Sequence, residues 1–136
     1  MIAHTSKYLG FLTLTFLFTL QVFAQGVPKA YGSINYYGKW NGRPVSLMLA
    51  DGYIGASRIK VQMGKTRLIV FNPNSGVIDE YNQLKFIPAK EGRQDYFILD
   101  NMQEVYEAAP VFIAGKYHLN NQIISIKFRL IRRRKR

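Results

Sequence analysis

The chain has 136 residues, with 19 Lys and Arg against 8 Asp and Glu, a net charge of +11 and no cysteine. That leaves room for one domain and excludes disulfide scaffolds, thiol nucleophiles and cysteine-ligated metals. A hydrophobic fraction of 48% excludes a wholly disordered chain.

Lys7 is the one formally charged side chain before the uncharged run Tyr8–Leu20, and Val22-Phe23-Ala24 then supplies small or branched residues. This is the layout of a secretory signal peptide, with cleavage expected between Ala24 and Gln25. The alternative is an uncleaved anchor. Tyr8–Ala24 is at the short limit for a membrane span and is interrupted by threonines and Gln21. Without residues 1–24 the chain keeps 112 residues, 18 basic and 8 acidic, a net charge of +10. An exported domain of that size without disulfides depends on its core alone. That combination points to a bacterial periplasmic or secreted protein.

Residues 25–31 read as a flexible lead-in, with Gly26 and Pro28. From residue 32 the hydrophobic period is two. Ile34, Tyr36 and Trp40 share a face, and Asn41-Gly42 is a hairpin turn. Val45, Leu47 and Leu49 follow, then a turn at Asp51-Gly52. Ile59 and Val61 alternate with Arg58, Lys60 and Gln62, and Gly64-Lys65 turns the chain again. Residues 66–71 are apolar on both faces, and Asn72-Pro73-Asn74-Ser75-Gly76 is a loop by composition.

Residues 77–83 could hold a helical turn. Strands are expected over 84–89 and 95–99, flanking Lys90-Glu91-Gly92-Arg93. Residues 101–109 form a candidate short helix ended by Pro110. The longest strands are expected over 111–119 and 122–131, joined by a two-residue turn at Asn120-Asn121. About eight short strands at this spacing predict an all-β fold over 32–131, a single antiparallel barrel or barrel-like sandwich. A barrel of eight strands has an interior wide enough for side chains or one small ligand.

Gly38-Lys39-Trp40 on the first strand, with Arg129 on the last, resembles the lipocalin-like (calycin-type) small β-barrel. The resemblance implies a structural pair at the barrel base, Trp40 beneath Arg129.

No arrangement of residues calls for catalysis. His118 is the single histidine after residue 24 and has no ligand spacing around it, so it reads as a surface residue. No serine sits in a Gly-x-Ser-x-Gly elbow. The carboxylates are explained by turns, loops and a helix face: Asp51 by its turn, Glu91 and Asp95 by a loop and its exit, Glu104 and Glu107 as helix neighbours. Glycine-rich nucleotide loops are absent from the sequence, so neither an enzyme activity nor a cofactor or metal is expected.

Tyrosine, with a large apolar body and a polar tip, suits ligand pockets. Trp40, Tyr36, Tyr53 and Tyr96 are therefore the candidate binding residues for a small apolar or amphipathic ligand. The C-terminal run Arg132, Arg133, Arg134, Lys135, Arg136 cannot pack and is expected to be solvated. It suits an anionic membrane or glycolipid surface. Nucleic acid is a less suitable partner for an exported chain. The expected roles are thus a non-enzymatic ligand-binding barrel or, alternatively, an envelope-surface interaction protein using this tail.

Overall fold

The computed structural model describes residues 32–132. The expected signal peptide at 1–24, its cleavage point at Ala24 and Gln25, the lead-in at 25–31 and tail residues 133–136 lie outside them. Eight antiparallel strands follow one another around a closed barrel: β1 (Gly32–Trp40), β2 (Arg43–Asp51), β3 (Arg58–Met63), β4 (Arg67–Pro73), β5 (Leu84–Pro88), β6 (Tyr96–Leu99), β7 (Phe112–Leu119) and β8 (Gln122–Leu130). Closure comes from β8 returning to β1, where Leu130 lies opposite Tyr36 and Arg129 opposite Tyr37. Closing the sheet leaves no strand edge to be protected.

The period-two pattern sets which side chains point inward. Tyr36, Leu47, Ile59, Phe71, Phe86, Phe97, Tyr117 and Phe128 are fully buried and belong to one continuous core cluster. Phe71 meets Phe97 edge-on with centroids 4.8 Å apart, and Phe97 lies 4.9 Å from Tyr117. The barrel lumen is thus filled with side chains, as eight-stranded barrels allow.

Two glycines make room for this packing. A Cβ on Gly115 would sit 2.9 Å from both Leu99 Cδ2 and Phe128 Cε2. On Gly38 it would sit 3.1 Å from Ile126 Cγ2 and 3.2 Å from Phe128 Cδ1. The first residue of Gly38-Lys39-Trp40 thus sits where a Cβ would crowd Ile126 and Phe128.

The two barrel ends differ. At one end the connections are hairpins, two of them made tight by Asn41 (φ 48°) and Asn120 (φ 52°), a conformation asparagine tolerates. At the other end lie longer connections: a 3-10 turn at Ile54–Ala56, the loop 74–83, and helix α1 (Met102–Glu107). Met102 and Val105 are buried and plug that end. Residues 77–83 do not form the expected helical turn. Asp79 Oδ1 instead accepts the backbone N–H groups of Tyr81 and Gln83, which offers the chain an alternative to helical bonding.

The expected pairing of Trp40 with Arg129 is not formed. Trp40 is buried on the inner face, whereas Arg129 is exposed on the outer face beside Phe112 and Tyr37. The guanidinium over the indole belongs to Arg43, 5.2 Å from the ring centroid. The Asn41-Gly42 turn places Arg43 directly across from Trp40.

Candidate functional site

The four aromatic residues expected to bind a ligand do not converge. Tyr36 is fully buried in the core and donates its hydroxyl to the Pro110 carbonyl at 2.9 Å. Trp40 closes the hairpin end, 4.5 Å from Tyr117. Tyr96 stacks on His118 on the outer wall, with centroids 4.6 Å apart. Tyr53 alone lines an open concavity.

That concavity is a cleft of about 460 Å³ at the helical end, within the usual range of ligand sites. Half-buried Ile54, Ile78 and Tyr106 form its floor, and exposed Asp51, Tyr53 and Glu107 its rim. Three connections remote in sequence build it: the β2–β3 turn, the β4–β5 loop and α1.

The cleft walls are held by specific bonds. Asn82 caps α1: its carbonyl accepts the Met102 N–H at 3.0 Å, and its Oδ1 accepts the Gln103 N–H at 2.7 Å. Its Nδ2 donates to Glu104 Oε2 at 2.7 Å, which lowers the Glu104 carboxyl below its ordinary range. Buried Ser57 Oγ accepts the Ala50 N–H at 3.0 Å and lies 3.1 Å from the Tyr106 hydroxyl. Burial raises the Tyr106 hydroxyl above its ordinary range, its bond with Ser57 partly offsets this, and the nearby Asp51 charge adds to it. Neither Asp51 nor Glu107 has an ion-pair partner among the described residues.

The hairpin end carries a buried polar cluster that sequence reasoning missed. Asp95, 1% exposed, receives Arg93 through Nε at 3.0 Å and Nη2 at 2.6 Å, and the Tyr117 hydroxyl at 2.6 Å. Burial raises the Asp95 carboxyl, but the bonds from Arg93 and Tyr117 outweigh it and hold the group below its ordinary 3.8. Burial first, then Asp95, push the Tyr117 hydroxyl far above its ordinary range. Asp95 and Tyr117 are buried while the Arg93 side chain stays 29% exposed, and the carboxylate is bonded by both Arg93 and Tyr117.

His118 is half-buried rather than a plain surface residue, and its Nε2 has no protein partner. Its pKa lies below the ordinary 6.5 because of burial, then Lys116 and Lys85. Both charges acting on it are lysine ammonium groups. Among the described residues no cluster of His, Asp and Glu could hold a metal ion. Of the basic tail, Arg132 is the last described residue and is exposed; Arg133, Arg134, Lys135 and Arg136 lie outside the described residues.

No protein-family model, no curated protein and no solved structure matches this chain. The closed eight-strand antiparallel barrel is compatible with a lipocalin-like architecture.

Proposed function

We propose that this is an exported, non-enzymatic binding barrel that takes a small amphipathic molecule with a cationic end in the cleft beside α1. One observation carries the reading: an apolar floor of Ile54, Ile78 and Tyr106 beneath two carboxylates without ion-pair partners among the described residues. Burying apolar area supplies the affinity, at roughly 25 cal/mol per Å², and Asp51 and Glu107 set the orientation. The filled lumen moves the ligand from the barrel interior to its end. Kinship with lipocalin-like barrels rests on the eight-strand meander and Gly38-Lys39-Trp40 alone.

Export rests on the residue layout before Gln25 and implies the periplasm or the medium outside a bacterial cell. N-terminal sequencing of the protein recovered from an expressing cell's envelope or medium is expected to begin at Gln25. Retention of residues 1–24 contradicts it.

Thermal-shift titration tests the cleft with three amphiphiles of equal chain length, below their micelle concentrations: an alkyltrimethylammonium, an alkyl sulfate and an alkyl glucoside. The cationic one is expected to raise Tm most, since binding only the native state stabilises it. D51N combined with E107Q is expected to abolish that preference. An anionic amphiphile that stabilises the wild type equally well contradicts the reading.

A further inference from the structure

The charges of the barrel are segregated. Among the strand residues, Lys39, Arg43, Arg58, Lys60, Arg67, Lys85, Lys116, Lys127 and Arg129 are basic, whereas the one carboxylate is Asp51, the last residue of β2. Asp79, Glu80, Asp100, Glu104 and Glu107 lie in the helical-end connections, Glu91 lies in the β5–β6 hairpin loop, and Asp95 is buried against Arg93. The outer wall therefore carries positive charge with almost nothing to neutralise it.

On β5–β8 this charge is also organised. Cross-strand register puts Lys85 opposite Ile98 and Ile98 opposite Lys116, so one row crosses three strands. Lys116 faces Ser125, Lys127 faces Ala114, and Arg129 faces Phe112. Lys85 Nζ rests 4.2 Å from the Tyr96 ring centroid, and Lys127 Nζ 4.0 Å from that of Phe112. A ring face holds an ammonium group in place without cancelling its charge, which a carboxylate would do. Among the described residues the sole ion pair is the buried Arg93–Asp95 pair, so none of these four cations is neutralised. Small Ala114 leaves a shallow basin of about 410 Å³ bordered by Phe112, Lys116, Ser125 and Lys127, with Asp100 at one end. The Asp100 carboxylate accepts a hydrogen bond from Gln83 at 2.7 Å.

We propose that the outer face of β5–β8 binds an extended anionic polymer bearing phosphate or sulfate groups, with Lys85, Lys116, Lys127 and Arg129 as its contact cations. The face is separate from the end cleft, and the inference stands without the reading given above. Lys85 and Lys116 are two strands apart, about 10 Å, and Lys127 and Arg129 are two residues apart, about 7 Å. Such spacings suit a repeating chain of charges. A convex barrel wall meets a flat bilayer along a narrow line, whereas a flexible polymer follows the curvature and settles in the basin over Ala114. The exposed Phe112 ring adds apolar surface beside Lys127, as on faces that bind charged chains.

Fluorescence anisotropy with labelled long-chain polyphosphate and with dextran sulfate, each over a range of salt, tests the proposal. Uncharged dextran and phosphatidylglycerol vesicles are the comparisons. Four cations predict a slope of log affinity against log salt of about −3, from about 0.7 per neutralised charge. Replacing all four by Gln is expected to weaken binding by more than about tenfold at low salt and to remove most of that slope. Deleting residues 132–136 is expected to leave the wall's share intact.

Phe112→Leu with Tyr96→Leu is expected to weaken binding by about threefold while keeping the slope, because the charges remain but lose their positioning. The four cations are exposed, and an unchanged Tm checks the fold. If the fourfold variant fails to fold, K116Q and K127Q decide singly, each expected to lower the slope by about 0.7. Preference for polyphosphate or for dextran sulfate identifies the anion's chemistry, and either supports the proposal. Wild-type affinity in the folded fourfold variant overturns it in favour of the tail. Capture by the vesicles that neither polymer can displace overturns it in favour of a membrane, and equal binding of uncharged dextran overturns it outright.

Discussion

At the scale of single residues, the barrel is specified by what is absent as much as by what is present. Gly115 faces inward with Leu99 and Phe128 close enough to forbid a Cβ. Gly115→Ala is expected to lower stability by about 2 kcal/mol, the usual cost of overpacking a dense core, measured as a fall in the urea midpoint. An unchanged midpoint contradicts the packing. Asp95 sets the pH dependence. Its carboxyl titrates below 3.8 in the folded chain, so its contribution is present in full above 3.8 and is lost as pH falls through the lower folded-state value. Asp95→Ala strips Arg93 and Tyr117 of their partner and is expected to cost about 3 kcal/mol near neutral pH. The variant should also lose the wild type's extra destabilisation below pH 3.8. Urea midpoints of both proteins across the acid range check this, and parallel curves contradict it.

At the scale of elements, the turns were readable where the backbone chemistry is local. Asn41-Gly42 and Asn120-Asn121 form turns because Asn and Gly accept positive φ. The helix expected at 101–109 is realised as Met102–Glu107, stopped short of Pro110. Residues 77–83 defeated the reading, because the Asp79 side chain takes over backbone donors that a helical turn would use. The cap on α1 was also invisible in the sequence, since Asn82 is some twenty positions away and arrives only when the barrel closes. Asn82→Ala is expected to cost about 1 kcal/mol, as cap losses do, and to speed hydrogen exchange of the first amides of α1. Exchange unchanged at Gln103 contradicts the capping role.

At the scale of the whole molecule, the alternation of hydrophobic residues pointed to an antiparallel barrel or barrel-like sandwich, and the strand pairing closes it as a barrel. It did not say what fills the lumen. That depends on side-chain volumes meeting across strands far apart in sequence, such as Phe71 with Phe97 and Trp40 with Tyr117. The candidate site was legible only in part for the same reason. Tyr53 could be singled out as a tyrosine, apolar with a polar tip, but Ile78 and Tyr106 join it only through closure of the barrel. The resemblance carried by Gly38-Lys39-Trp40 led to Arg129, and the register gave the indole to Arg43 instead. Charge shows the same logic. The tail was visible as a run, whereas the basic wall exists only because alternate strand positions point outward and the carboxylates are gathered into connections.

The proposed cleft takes its ligand at the end of a barrel whose lumen is filled with side chains. Methyl-resolved NMR during titration with an alkyltrimethylammonium amphiphile tests it most directly. The expected result is a set of saturable shifts at Ile54 and Ile78, with Leu47, Ile59 and Leu99 in the lumen unmoved. Shifts centred on those lumen methyls, with Ile54 and Ile78 silent, would contradict it.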